Sequence, residues 1–101
     1  MQQDSSFIKD IIQYIQRSNT PFSEWYVGIA EDALARLFQG HGVNKDMDYW
    51  IYRDCINANA AREVEQFIIM NYHTDGGSGG GNDNSRFVYA YKKEAHTRES
   101  Y

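Results

Sequence analysis

Two residues in the stretch WYVGIAEDALARLFQGH, Trp25 to His41, have types and spacing suited to chemistry. Tyr26 stands just before Gly28, and Arg36 follows eight residues after that glycine. A phenol hydroxyl can hold or pass a proton, and a guanidinium grips an anion with a planar fork of donors. The two are brought together where a strand hands over to a helix, and such a pair reads as a site rather than as packing.

The surrounding residues predict the elements that would position the pair. Trp25, Val27 and Ile29 alternate with Tyr26, Gly28 and Ala30, the period of a strand. Glu31 and Asp32 then place acidic groups where a helix N-terminus favours them. Leu34, Leu37 and Phe38 recur at helical spacing, and Gly40 supplies a stop. Upstream, Ser5 or Ser6 caps a helix running to about Arg17, with Ile8, Ile11, Ile12 and Ile15 on its buried stripe and residues 1–4 frayed. A turn containing Pro21 leads into the Trp25 strand.

Downstream, Tyr49–Asp54 predicts a second strand, with Tyr49, Ile51 and Arg53 on one face and Trp50, Tyr52 and Asp54 on the other. A third helix, capped by Asn57 or Asn59, runs from Ala60 to about Met70 and buries Ala61, Val64, Phe67, Ile68 and Tyr72. The segment DGGSGGGNDN, 75–84, is a glycine-rich connection. It lacks the Gly-Lys-Ser/Thr ending of a phosphate-binding loop and precedes a strand rather than a helix. That strand, Arg86–Lys92, sets Phe87, Tyr89 and Tyr91 against Val88 and Ala90. The charged residues 93–101 are expected to be a disordered tail. The pattern predicts one small α/β or α+β domain over 1–92, with a three-stranded, largely antiparallel sheet flanked by three helices.

Composition bounds the function. A chain of 101 residues, 42% hydrophobic and 15% aromatic, can build one core. The single cysteine, Cys55, leaves no intramolecular disulfide and no Cys-rich zinc site, which fits a reducing, cytoplasmic setting. It reads as a small buried hydrophobe. No signal-peptide pattern is apparent, and the longest apolar run is too short for a bilayer, so no membrane association is expected. A net charge of −4 argues against a protein that coats nucleic acid by bulk electrostatics, though not against a local basic groove.

Tyr26-Val27-Gly28, followed eight residues later by Arg36 on a helix, resembles the second half of the GIY-YIG nuclease signature. In that family the YIG tripeptide ends a strand, the next helix carries a catalytic arginine, and a histidine often follows about a turn later, near the place of His41. The family's opening GIY strand has no counterpart upstream of Tyr26. Phe87-Val88-Tyr89, near the C-terminus, resembles it instead, which implies a circularly permuted GIY-YIG-like fold. Glu65-Gln66-Phe67-Ile68 is similar to the family's metal-ligand helix, in which one glutamate faces the site. The apolar stripe leaves open which of Glu63 and Glu65 that is. The resemblance covers about two-thirds of the chain.

The resemblance implies a metal-dependent endonuclease or phosphodiesterase acting on DNA or RNA. Glu65 would hold a Mg²⁺ (or other divalent) ion, Arg36 would clamp the phosphate, and Tyr26, Tyr89 or His41 would move a proton. Each residue also has a reading without chemistry. Arg36 can pair with Glu31 or Asp32, Glu65 can be a solvated helix position, Tyr26 and Tyr89 can be sheet aromatics, and His41 can be a loop or cap residue. The alternative function is a catalytically inactive module of the same fold that binds protein or nucleic acid, and its aromatic density would suit such a surface.

Overall fold

The computed structural model describes residues 2–77 and 82–99. It is a small α+β structure with a mixed sheet of four strands rather than the three expected. Helix α1, Gln2–Ser18, is followed by a short 3₁₀ turn, Phe22–Glu24, and strand β1, Trp25–Ala30. Helix α2, Ala33–Ala35, opens into a wide π-type turn, Arg36–Gly40. Strand β2 (Trp50–Asp54), helix α3 (Ala58–Tyr72), strand β3 (Asp75–Gly76) and strand β4 (Phe87–Lys92) complete the order. The strands lie side by side as β2-β4-β1-β3. β4 pairs antiparallel with both neighbours, while β3 adds a parallel pair to Tyr26 and Val27 of β1.

The alternation read from the sequence divides the sheet into two faces. Trp25, Val27, Ile29, Ile51, Val88 and Ala90 point to one side and are covered by Ile11, Ile12 and Ile15 of α1 and by Ala61, Val64 and Ile68 of α3. Tyr26, Ala30, Tyr89 and Tyr91 point to the other and meet Ala33, Leu37 and Val43. The candidate site is built on this second, aromatic face.

Local boundaries differ from the expected ones for identifiable reasons. α1 already begins at Gln2, so neither Ser5 nor Ser6 caps it and residues 2–4 belong to the helix. α3 starts at Ala58, because the Asn57 carboxamide oxygen accepts the Ala60 N–H at 2.8 Å, and it ends on His73 in the left-handed region. Phe67 and Leu34, both expected inside, are 44% and 40% exposed. Each sits beside a buried neighbour of its helix, Ala33 next to Leu34 and Ile68 next to Phe67, at the margin of the stripe.

The glycine-rich connection contributes structure at both ends. Asp75 and Gly76 form β3, and Ser85 N–H bonds Asn82 O at 3.0 Å in a turn that feeds β4. Residues 78–81 of that expected loop lie outside the described residues. The expectation of a disordered tail fails for residues 93–99. Lys93 N–H bonds Glu24 O at 2.8 Å, Arg98 N–H bonds His41 O at 2.7 Å, and Thr97 is buried. Their charges suggest solvation, but these polar groups are used on the protein itself. No described helix is long and apolar enough to cross a membrane.

Candidate functional site

The register of β1 against β4 brings the tyrosines together. Tyr26 pairs with Tyr91 and Gly28 with Tyr89. The Tyr26 and Tyr91 rings stack with centroids 5.4 Å apart. Gly28 has no side chain, and the Tyr89 phenol occupies the space above it. A Cβ at position 28 would lie 2.6 Å from the Tyr89 hydroxyl oxygen. The glycine of the YVG tripeptide thus has a physical purpose, because any other residue would displace the phenol. Gly77 serves Tyr26 in the same way, since a Cβ there would lie 2.5 Å from the Tyr26 hydroxyl.

Arg36 and His41 arrive from the wide turn. Asp32 caps α2 by accepting the Ala35 N–H at 3.1 Å. The helix then expands, and His41 N–H bonds Arg36 O at 2.8 Å, an i→i+5 closure. Such one-turn expansions recur at functional sites because they re-aim side chains that a regular helix would point elsewhere. His41 is 1% exposed and packs against the Tyr26, Tyr89 and Tyr91 rings.

The hydrogen bonds of His41 fix its tautomer. Nδ1 lies 2.6 Å from the Arg98 carbonyl oxygen, which can only accept, so Nδ1 carries the hydrogen. Nε2 is then an acceptor and takes the Tyr89 O–H at 2.7 Å. Tyr91 donates its own hydrogen to Glu99 Oε2 at 2.8 Å, and its oxygen lies 3.1 Å from Nδ1.

Electrostatics follow from burial. Desolvation lowers the His41 pKa and keeps the ring neutral, against the Arg98 carbonyl bond, which raises it. Desolvation also raises Tyr26, Tyr89 and Tyr91. Arg36 opposes the rise at Tyr26 through its charge and at Tyr89 through its charge and a hydrogen bond.

Four of the five residues singled out in the sequence, Tyr26, Arg36, His41 and Tyr89, therefore converge. Glu65 reaches them differently. It sits on α3, in the opposite layer, and no hydrogen bond joins it to the four among the described residues. Its charge is nevertheless felt at both Tyr26 and Tyr89. Glu65 is 4% exposed and Glu63 is exposed, so Glu65 is the inward-facing one of the pair. Burial pushes its carboxyl up to about 7, with Arg62 opposing. Asp75, Tyr91, Arg98 and Glu99 also belong to the neighbourhood and were not singled out. Tyr91 was signalled by its two-residue offset from Tyr89, whereas nothing in the charged C-terminal residues marked Arg98 or Glu99.

No group of three His, Cys, Asp or Glu side chains among the described residues is arranged to hold a metal ion. The Glu65 carboxylate, desolvated by burial, is the kind of oxygen ligand that suits a hard divalent cation that keeps most of its waters and draws further ligands from substrate phosphates. No protein-family model, no curated protein and no solved structure matches the chain. A functional reading thus rests on the residues and their geometry.

Proposed function

We propose that the protein is a GIY-YIG-like, metal-dependent phosphodiesterase that cleaves nucleic acid in a reducing, cytoplasmic setting. The observation that carries this reading is the convergence of Tyr26, Arg36, His41 and Tyr89 from β1, the wide turn and β4, with the Glu65 charge felt at both tyrosines. The strand that carries FVY pairs antiparallel with the strand that carries YVG, and the two tripeptides meet where Tyr89 lies opposite Gly28.

Phosphodiester hydrolysis needs a deprotonated water, a cation on the non-bridging oxygens and a geometry that aligns them. Arg36, half-buried at the edge of the cluster, has the planar fork that grips a phosphate. Tyr89 and His41 form a two-member proton relay. As Tyr89 passes its hydrogen to Nε2, its oxygen can take one from a water, so no isolated phenolate forms. That matters because burial makes a free phenolate costly there. His41 is neutral and correctly oriented to receive that proton. Tyr26, stacked alongside, orients rather than transfers. Glu65 is the group that would hold Mg²⁺, which would supply positive charge to the phosphoryl oxygens when bound.

One observation favours the second reading, an inactive module that binds protein or nucleic acid. Tyr89 and His41 are each 1% exposed, so the relay presents almost no surface to a substrate without local opening. Cleavage assays decide between the two. Labelled single- and double-stranded DNA and RNA would be incubated with the protein in Mg²⁺ and in chelator. The nuclease reading expects Mg²⁺-dependent cleavage that falls by ~10²-fold or more in Arg36→Ala with the fold retained. Binding without turnover on all four substrates would give the site to the binding module, and an Arg36→Ala variant as active as the wild type would remove Arg36 from the cleavage site.

A further inference from the structure

We infer that residues 93–99 form a positioning strap for His41, in which the Arg98 carbonyl selects the imidazole tautomer that lets Nε2 accept the Tyr89 proton. The clasp is reciprocal and made by the main chain. Arg98 N–H donates to His41 O at 2.7 Å, and His41 Nδ1–H donates to Arg98 O at 2.6 Å. The segment is fastened on both sides of that clasp. Lys93 N–H bonds Glu24 O at 2.8 Å, His96 Nε2 meets Asp48 Oδ2 at 2.6 Å, and Arg98 Nη2 reaches the Gln39 and Gly40 carbonyls at 3.4 Å. Buried Thr97 donates to Glu99 Oε2 at 2.8 Å, the same oxygen that accepts the Tyr91 hydroxyl at 2.8 Å.

Which nitrogen of a neutral imidazole carries the hydrogen is set by the bond that the other nitrogen makes. Without the Arg98 carbonyl, the hydrogen is free to move to Nε2. That would aim a donor at the Tyr89 oxygen and take away the acceptor of the Tyr89 hydrogen, and the relay would run in the wrong direction. A backbone group 57 residues away thus determines the orientation of the proton path. The inference rests on the nuclease reading for what the relay serves, though not for its geometry.

Nitrogen-15 NMR of the uniformly labelled full chain reads the tautomer directly, with His41 assigned against His41→Gln. The strap requires the Nδ1–H form in the wild type and in Arg98→Ala, which keeps the main-chain N–H and C=O. Arg98→Pro lacks the N–H that holds the clasp. It is expected to shift the population toward Nε2–H and to lower kcat by about 10-fold or more, with KM changed by less than about 2-fold. A wild type in the Nε2–H form, or an Arg98→Pro chain with an unchanged tautomer, overturns the inference. If Arg98→Pro does not fold, the wild-type and Arg98→Ala spectra decide alone. The Nδ1–H form in a protein that cleaves nothing would uphold the strap and remove the nuclease reading.

Discussion

Glu65 shows how much depends on the environment of a single residue. A glutamate on a helix of this length is ordinarily solvated, and the sequence offered Glu63 on equal terms. Burial distinguishes the two, and it leaves a measurable trace. The Glu65 carboxyl moves from 4.5 to about 7, so between those values the native state holds a proton that the unfolded chain has released. Stability therefore falls as pH rises through that window and levels off above it, with a full span of about 3 kcal/mol. Glu65→Gln removes this contribution. Urea unfolding from pH 4 to pH 8 is expected to show the decline in the wild type and its loss in the variant. Parallel curves for the two proteins would mean that Glu65 is hydrated and not poised. At this scale the sequence was informative about residue type and uninformative about burial. Tyr26, Arg36 and Tyr89 were legible because each follows a short motif. Glu99 was not, because one acidic residue in a charged run looks like any other.

At the scale of elements, most of the sheet was legible from period-2 alternation. The two faces of β1, β2 and β4 are occupied as Trp25/Val27/Ile29 against Tyr26/Gly28/Ala30 requires. What alternation cannot reveal is a two-residue strand, and β3 was missed for that reason. Nor can it reveal a π-type turn. Leu34, Leu37 and Phe38 fit a regular helix equally well, and only the bond from His41 N–H to Arg36 O shows that the turn has widened. Gly28 ties element to site. Gly28→Ala places a methyl against the Tyr89 phenol and forces either the ring or β1 to move. Overpacking of this kind costs about 1–3 kcal/mol. The variant is expected to melt at a lower temperature and to lose the Tyr89–His41 bond, seen as a change in the His41 ring nitrogen shifts. A Gly28→Ala protein with wild-type stability and unchanged His41 shifts would show that the close approach of Tyr89 does not depend on the glycine.

At the scale of the whole molecule, the sheet separates two kinds of interior. The α1–α3 side is mainly aliphatic, apart from Trp25, the half-buried aromatics at its rim and the buried Glu65 carboxyl on α3. The other side buries three phenols and an imidazole and meets their hydrogen-bonding needs from one another and from the C-terminal residues. Buried polar networks of this kind are tolerated only when nearly every member is satisfied. That is why residues 93–99 fold back rather than remain in solvent, and why a reading based on their charge alone failed. The order of FVY after YVG has a simple consequence: the strand that carries Tyr89 leads directly into the segment that orients His41.

The central claim is that Glu65, on one layer, and the Tyr26–Arg36–His41–Tyr89 cluster, on the other, form one metal-dependent site. Its most direct test is Mn²⁺ titration of the amide NMR spectrum, in the presence of a short phosphorothioate oligonucleotide, for wild type and Glu65→Gln. Paramagnetic broadening centred on residues 26, 36, 65 and 89 is expected in the wild type and its loss in the variant. Broadening that is absent, that scatters over surface acids such as Asp46 and Asp83, or that persists unchanged in Glu65→Gln would contradict the claim.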